Sequence, residues 1–171
     1  MAAPAIIVQT SEGVEGANVY DEVLAFQDYM GEWGHAKFLS KTDDQQARLA
    51  IRATRNCENL VRNRVDGEVC VELQKLLFPR DRCYDRSGFL IDGLPPSDYR
   101  EGIFLVAEQM ATSKTGAFVT SGHLRPGVES EEVDAWSIKY SESGASFSET
   151  NPEIWDLLHS VFTRGIRQVR S

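Results

Sequence analysis

The sequence predicts a mainly α protein: a small bundle of about four helices with a long loop and β-ribbon inserted, ending in an extended C-terminal arm. Three observations carry this. Apolar residues recur at helical spacing in the stretches 42–62, 97–112 and 152–162. Strand-like alternation is confined to Trp136, Ile138 and Tyr140, with Ser137 and Lys139 between them. A chain of 171 residues with 42% hydrophobic residues suits one domain. Its core is expected at about 18–113 plus 151–163, the loop and ribbon at 112–150, and the arm at 164–171.

Residues 9–18 are polar and turn-rich and predict an extended lead-in. A first helix follows from Asp21 to about Met30, with Val23, Leu24, Phe26 and Met30 apolar, before Gly31 and Gly34. Thr42 and Gln45 form a capping-box pair ahead of the best-patterned helix. There Ala47, Ile51, Thr54, Cys57 and Val61 make the apolar face, and Arg48, Arg52, Arg55 and Arg62 lie opposite. Gly67 marks a break, and a short helix is expected over Val69 to Phe78, ended by Pro79. A turn-rich connection leads to a helix capped by Ser97, with Tyr99, Ile103, Val106 and Met110 as its core stripe. Gly102 costs about 1 kcal/mol there relative to Ala, which predicts a close helix contact. Residues 112–127 read as a loop, after which Glu129–Val133 pairs with the strand at Trp136–Tyr140. In the last helix Asn151 caps, Pro152 takes the first helical position, and Ile154, Leu157, Leu158, Val161 and Phe162 are the apolar face.

The net charge of −8 is uneven. Residues 1–40 hold six acids against one base, whereas 41–65 hold six bases against three acids. An acidic chain is a poor general binder of duplex DNA, whose phosphates demand many cations. The arginine row could meet nucleic acid, but no Phe or Tyr interleaves it as a stacking platform for single strands would require. A solvated or subunit-facing surface fits better, with Asp44 supporting Arg48 at four-residue spacing. Cys57, Cys70 and Cys83 are odd in number and lack a C-x-x-C pair, which predicts reduced thiols acting as small core residues. No P-loop, nucleophile elbow or zinc pattern occurs, so no enzyme, metal or cofactor is expected. The longest apolar run, Ile103–Ala107, is far short of a membrane span, and the opening residues predict no secretory signal.

In order, several segments resemble a known family. Ala17-Asn18-Val19-Tyr20 and Asp28-Tyr29-Met30-Gly31 are similar to its A-N-S-Y and D-x-Y-F segments. Ala50 to Arg55 resembles A-L-I-R-A-T-R, and Gln74 with Leu76 to Arg80 resembles Q-x-L-x-W-P-R, with Phe78 in place of Trp. Tyr84 to Gly88 follows x-D-x-x-G, Leu94-Pro95 opens a segment like I-P-x-x-V-K-x-A, and Val128 to Tyr140 follows V-x-S-E-K-V…V-x-Y. These resemble the head-to-tail adaptor (connector) family of tailed bacteriophages, whose members also carry the label DnaT-like single-stranded-DNA-binding protein.

The resemblance implies a structural virion protein, made in the host cytoplasm, that forms a dodecameric ring beneath the portal. Its partners would be further copies of itself, the portal protein and a tail or nozzle protein, with genomic DNA passing through unbound. The alternative is a single-stranded-DNA-binding accessory protein of phage replication. For the adaptor, the expected subunit interface is Arg48, Arg52, Arg55, Trp136, Ile138 and Tyr140. The expected portal-docking residues are Trp155, Leu158, Phe162, Arg164, Ile166, Arg167, Val169 and Arg170. Beyond Phe162, Gly165 interrupts the helical pattern, and Ile166 and Val169 alternate with Arg164, Arg167 and Arg170, a pattern suited to a groove rimmed by carboxylates.

Overall fold

The computed structural model of the chain describes residues 4–113, 130–133, 136–139 and 152–161. One unit comprises 1–118 and 153–171, and a second comprises 119–152. The first unit is helical: α1 (Val23–Glu32), α2 (Ala36–Leu39), α3 (Asp43–Val61), α4 (Ser97–Thr112) and α5 (Pro152–Leu158). Single 3₁₀ turns at Arg62–Arg64 and His159–Val161 extend α3 and α5. A minimal antiparallel pair, β1 (Glu68–Val69) with β2 (Arg80–Asp81), lies between α3 and α4. The mainly α reading therefore holds.

Helix α3 is specified locally. The Thr42 hydroxyl accepts from the Gln45 amide and the Gln45 side chain accepts from the Thr42 amide, which completes the capping box and stabilises the helix by about 1 kcal/mol. Its buried face is wider than the sequence stripe: Leu49, Ala50 and Ala53 join Ala47, Thr54, Cys57 and Val61, while Ile51 is only half-buried. On α4, Tyr99, Ile103, Val106 and Met110 are all buried as the spacing requires. Ser97 is the first helical residue rather than the cap, because Pro96 already holds the extended cap conformation.

Helix α1 starts at Val23, not Asp21, since the Asp21 carboxylate pairs with Arg100 of α4 at 2.7 Å and Glu22 takes the extended cap position. Helix α2, unforeseen in the sequence, is too short to stand alone. Its free Lys37 and Phe38 amides donate to the Glu108 carboxylate on α4, at 3.1 and 2.7 Å.

The helix expected over Val69–Phe78 does not form. Instead the segment turns on itself, and side chains supply its partners: the Gln74 amide donates to the Leu76 and Pro79 carbonyls at 2.7 and 3.0 Å. Leu76, Leu77 and Phe78 are all buried. Gly67, at φ +85°, leads into β1 where the backbone runs close against β2. A Cβ there would collide with the Asp81 carbonyl.

Gly102 does mark a close helix contact: a Cβ at this position would lie 3.1 Å from Leu158 Cδ2 and 3.3 Å from Leu157 Cβ. Helix α5 thus closes the core, with Ile154, Leu158 and Val161 buried and Pro152 at the first helical position. Two thiols, Cys57 and Cys83, are buried as expected, but Cys70 is exposed beside β1.

In the second unit, β3 (Ser130–Val133) pairs antiparallel with β4 (Trp136–Lys139), in the register Glu131↔Ile138 and Val133↔Trp136. This is the expected ribbon. The Asn151 cap, Tyr140, Phe162, the 114–127 stretch of the expected loop and the arm at 164–171 lie outside the described residues.

Candidate interaction surface

One face of α3 stays free of the core. Nineteen residues of helix present it over about 28 Å. Arg52 and Arg55 are exposed, as is Arg62 in the following turn, and Arg48 is half-buried with its guanidinium 3.1 Å from Asp44. The row borders two clefts. The first, of about 220 Å³, gathers Arg48 and Arg52 with Lys41, Gln45 and Met110. The second, of about 340 Å³, gathers Arg55 and Arg62 with Lys75, over a wall made by Ala17, Ile51 and Leu76. Lys75, brought in by the turn that replaces the expected helix, is a cation the sequence reading did not attach to the row. The arrangement suits anionic oxygens flanked by a small apolar group.

Beneath the second cleft lies the least expected group of the chain. Glu58, on α3, is 2% exposed. Its Oε1 accepts the Tyr20 hydroxyl and its Oε2 accepts the Leu77 amide at 2.8 Å, while the Phe78 amide donates to the Tyr20 oxygen at 3.1 Å. Burial pushes the Glu58 carboxyl up to about 7, against the opposing pull of these donors and of Arg62 and Arg80. The same burial, reinforced by Glu58, raises the Tyr20 hydroxyl well above its ordinary value. One carboxylate thereby ties α3 to both the 17–20 segment and the 76–79 segment, and it shapes the cleft wall. The signal was available, since Glu58 falls four residues after Thr54 and three before Val61, within the apolar stripe.

The sequence-predicted site residues are placed as follows. Arg48, Arg52 and Arg55 share one helix face but divide between the two clefts. Trp155 is half-buried, its ring 5.5 Å from that of His159. Leu158 is fully buried against Gly102, so it belongs to the chain's own core and is withdrawn from any docking surface of this fold. Trp136 and Ile138 lie in β4. Tyr140, Phe162, Arg164, Ile166, Arg167, Val169 and Arg170 fall outside the described residues. Among the described residues no cluster of His, Cys, Asp and Glu could hold a metal ion, and no helix is long and apolar enough to cross a membrane.

No curated protein and no solved structure matches the chain. A family model does, described as "Putative DnaT-like ssDNA binding protein", and it matches residues 4–170. A match over nearly the whole length, through α3, the turn at 74–80 and α4 alike, means that the chain belongs to this DnaT-like family.

Proposed function

We propose that the chain is an architectural protein of a tailed-phage virion, a head-to-tail adaptor that forms a ring with further copies of itself and docks on the portal. The ordered series of resembled segments supports this, and one structural observation carries it: large apolar side chains stand in solvent at several places. Leu24, Trp33, Leu73, Phe89 and Leu90 are each more than half exposed, Phe89 by 72%. Phe89 and Leu90 sit on the returning arm of a turn closed by Asp85, whose Oδ1 accepts the Ser87 and Phe89 amides at 2.8 Å each, with Leu90 bridged to Tyr84. An ordered turn that offers two apolar side chains to water is suited to seat in another protein. The role is non-catalytic, and the protein's place is the head–tail junction.

The second reading, single-stranded-DNA binding, is favoured by the family's description and by the cation-lined clefts along α3. The family description speaks for this reading and does not mention an adaptor. Against it stand the charge of −8 and the absence of an aromatic among the α3 arginines.

One experiment separates the two. Light scattering after size exclusion should show the chain co-eluting with purified portal rings of the phage that encodes it. A fluorescent oligothymidylate should show no anisotropy change at about 0.15 M salt, where surface charges are screened beyond about 8 Å. A chain cut after Thr163 should keep its helical circular dichroism and lose the portal, because the Arg164–Arg170 arm would carry the contact. Tight oligonucleotide binding without portal binding transfers the function to the second reading.

A further inference from the structure

We propose that the cationic face of α3 receives helix α1 of a second copy of this chain, so that copies join head to tail through two different faces. The inference rests on the assembly reading above and names its contact. On α1, Leu24, Asp28 and Glu32 follow one another at four-residue spacing, and all three are exposed, Leu24 by 59%. Neither carboxylate makes an ion pair among the described residues. On the receiving side, Arg52, Arg55 and Arg62 are exposed along one edge of α3 and the turn after it, beside the cleft whose wall includes Ile51 and Leu76.

The two surfaces match in sign, length and pattern. The acidic stripe runs about 12 Å from Leu24 to Glu32, and the cation row about 15 Å from Arg52 to Arg62. An apolar side chain at one end of the stripe corresponds to the apolar wall of the cleft. Asp28 and Glu32 then reach Arg52 and Arg55, which form no ion pair among the described residues, with Arg62, already drawn toward the buried Glu58, at the end of the row. The same division shows in the sequence as six acids to one base in residues 1–40 and six bases to three acids in 41–65. Contact between two different faces leaves one donor and one acceptor face free on every pair. Such a contact propagates until it closes into a ring or continues as a filament. A nucleic acid on the same row would need phosphates only and would make no use of Leu24.

The test is a charge swap read as mass. Arg52→Glu/Arg55→Glu carries acids on both faces, and Asp28→Lys/Glu32→Lys carries bases on both. All four positions are exposed, and circular dichroism checks that each variant folds. Wild type should rise above 19.1 kDa in light scattering as its concentration increases. Each variant alone should associate at least about tenfold more weakly, and an equimolar mixture should regain association, since each then meets its complement. Variants that associate like wild type, or a mixture that stays monomeric, overturn this interface and leave the assembly reading standing. A wild type that remains at the monomer mass throughout also overturns it, while the assembly reading answers separately to portal binding. If Arg52→Glu/Arg55→Glu loses oligothymidylate binding but keeps self-association, the row belongs to nucleic acid and the proposal fails.

Discussion

At Glu58 a carboxyl group is held inside the protein by two hydrogen-bond donors, the Tyr20 hydroxyl and the Leu77 amide, and burial pushes it up to about 7. Its unfolded counterpart ionises in the ordinary carboxylate range, so between that range and pH 7 the folded state holds more proton than the unfolded one. The linkage sign follows: this contribution is fully present at low pH and is lost as pH rises through about 7. The loss is on the order of 3 kcal/mol. Urea midpoints at pH 5, 6, 7 and 8 should fall more steeply for wild type than for Glu58→Gln, which has no proton to lose. Parallel slopes would show that Glu58 does not titrate in this window. The residue was visible as a charge inside an apolar stripe, yet its partners were not. Tyr20 and Leu77 lie 38 and 19 residues away, and no periodicity connects them.

Among the elements, the contact of α5 on α4 turns on one missing side chain. Gly102 leaves room for Leu157 and Leu158, whose atoms would stand 3.3 and 3.1 Å from a Cβ. Gly102→Val must push α5 outward and expose Leu158, which should cost about 2 kcal/mol. Chemical denaturation monitored by circular dichroism reads this directly, and an unchanged midpoint would mean that α5 yields freely. Helices α3, α4 and α5 were legible because each carries its own stripe, cap or proline. The 69–78 segment was not. Its apolar residues suggested a helix, but Glu58 takes the Leu77 amide and Gln74 supplies the Leu76 and Pro79 carbonyls, so tertiary partners replace helical ones. Helix α2 was hidden for the same reason, since its cap is a glutamate 70 residues further along the chain.

On the scale of the molecule, composition and fold push in opposite directions as pH falls. A chain with a sequence pI near 4.9 loses its net charge there, and with it the mutual repulsion that keeps copies apart. Near the same pH the Glu58 contribution is close to its largest. The protein should therefore be least soluble near pH 5 while still folded. Turbidity should peak there and clear on return to pH 7.5, and circular dichroism of the redissolved protein should be native. Precipitate that redissolves only in denaturant would contradict this. The mainly α class and the ribbon could be read from spacing alone, because both are local patterns. The clefts beside α3 could not, for their second walls come from Ala17, Lys75, Leu76 and Met110, which only the folded chain brings alongside.

The uneven burial of the three cysteines has a practical consequence. Cys57 and Cys83 are enclosed, while Cys70 stands at the surface beside β1, its thiol directed at Asp81 at 3.7 Å. Partial desolvation and the Asp81 charge raise its pKa, so it reacts slowly at neutral pH and faster in mild alkali. The natural sequence thus offers a single addressable thiol, and a maleimide dye or spin label can be attached without mutation. Placed three residues after Gly67, such a probe would report the distance between copies if the proposed contact forms, and so turn a structural accident into a ruler for that test.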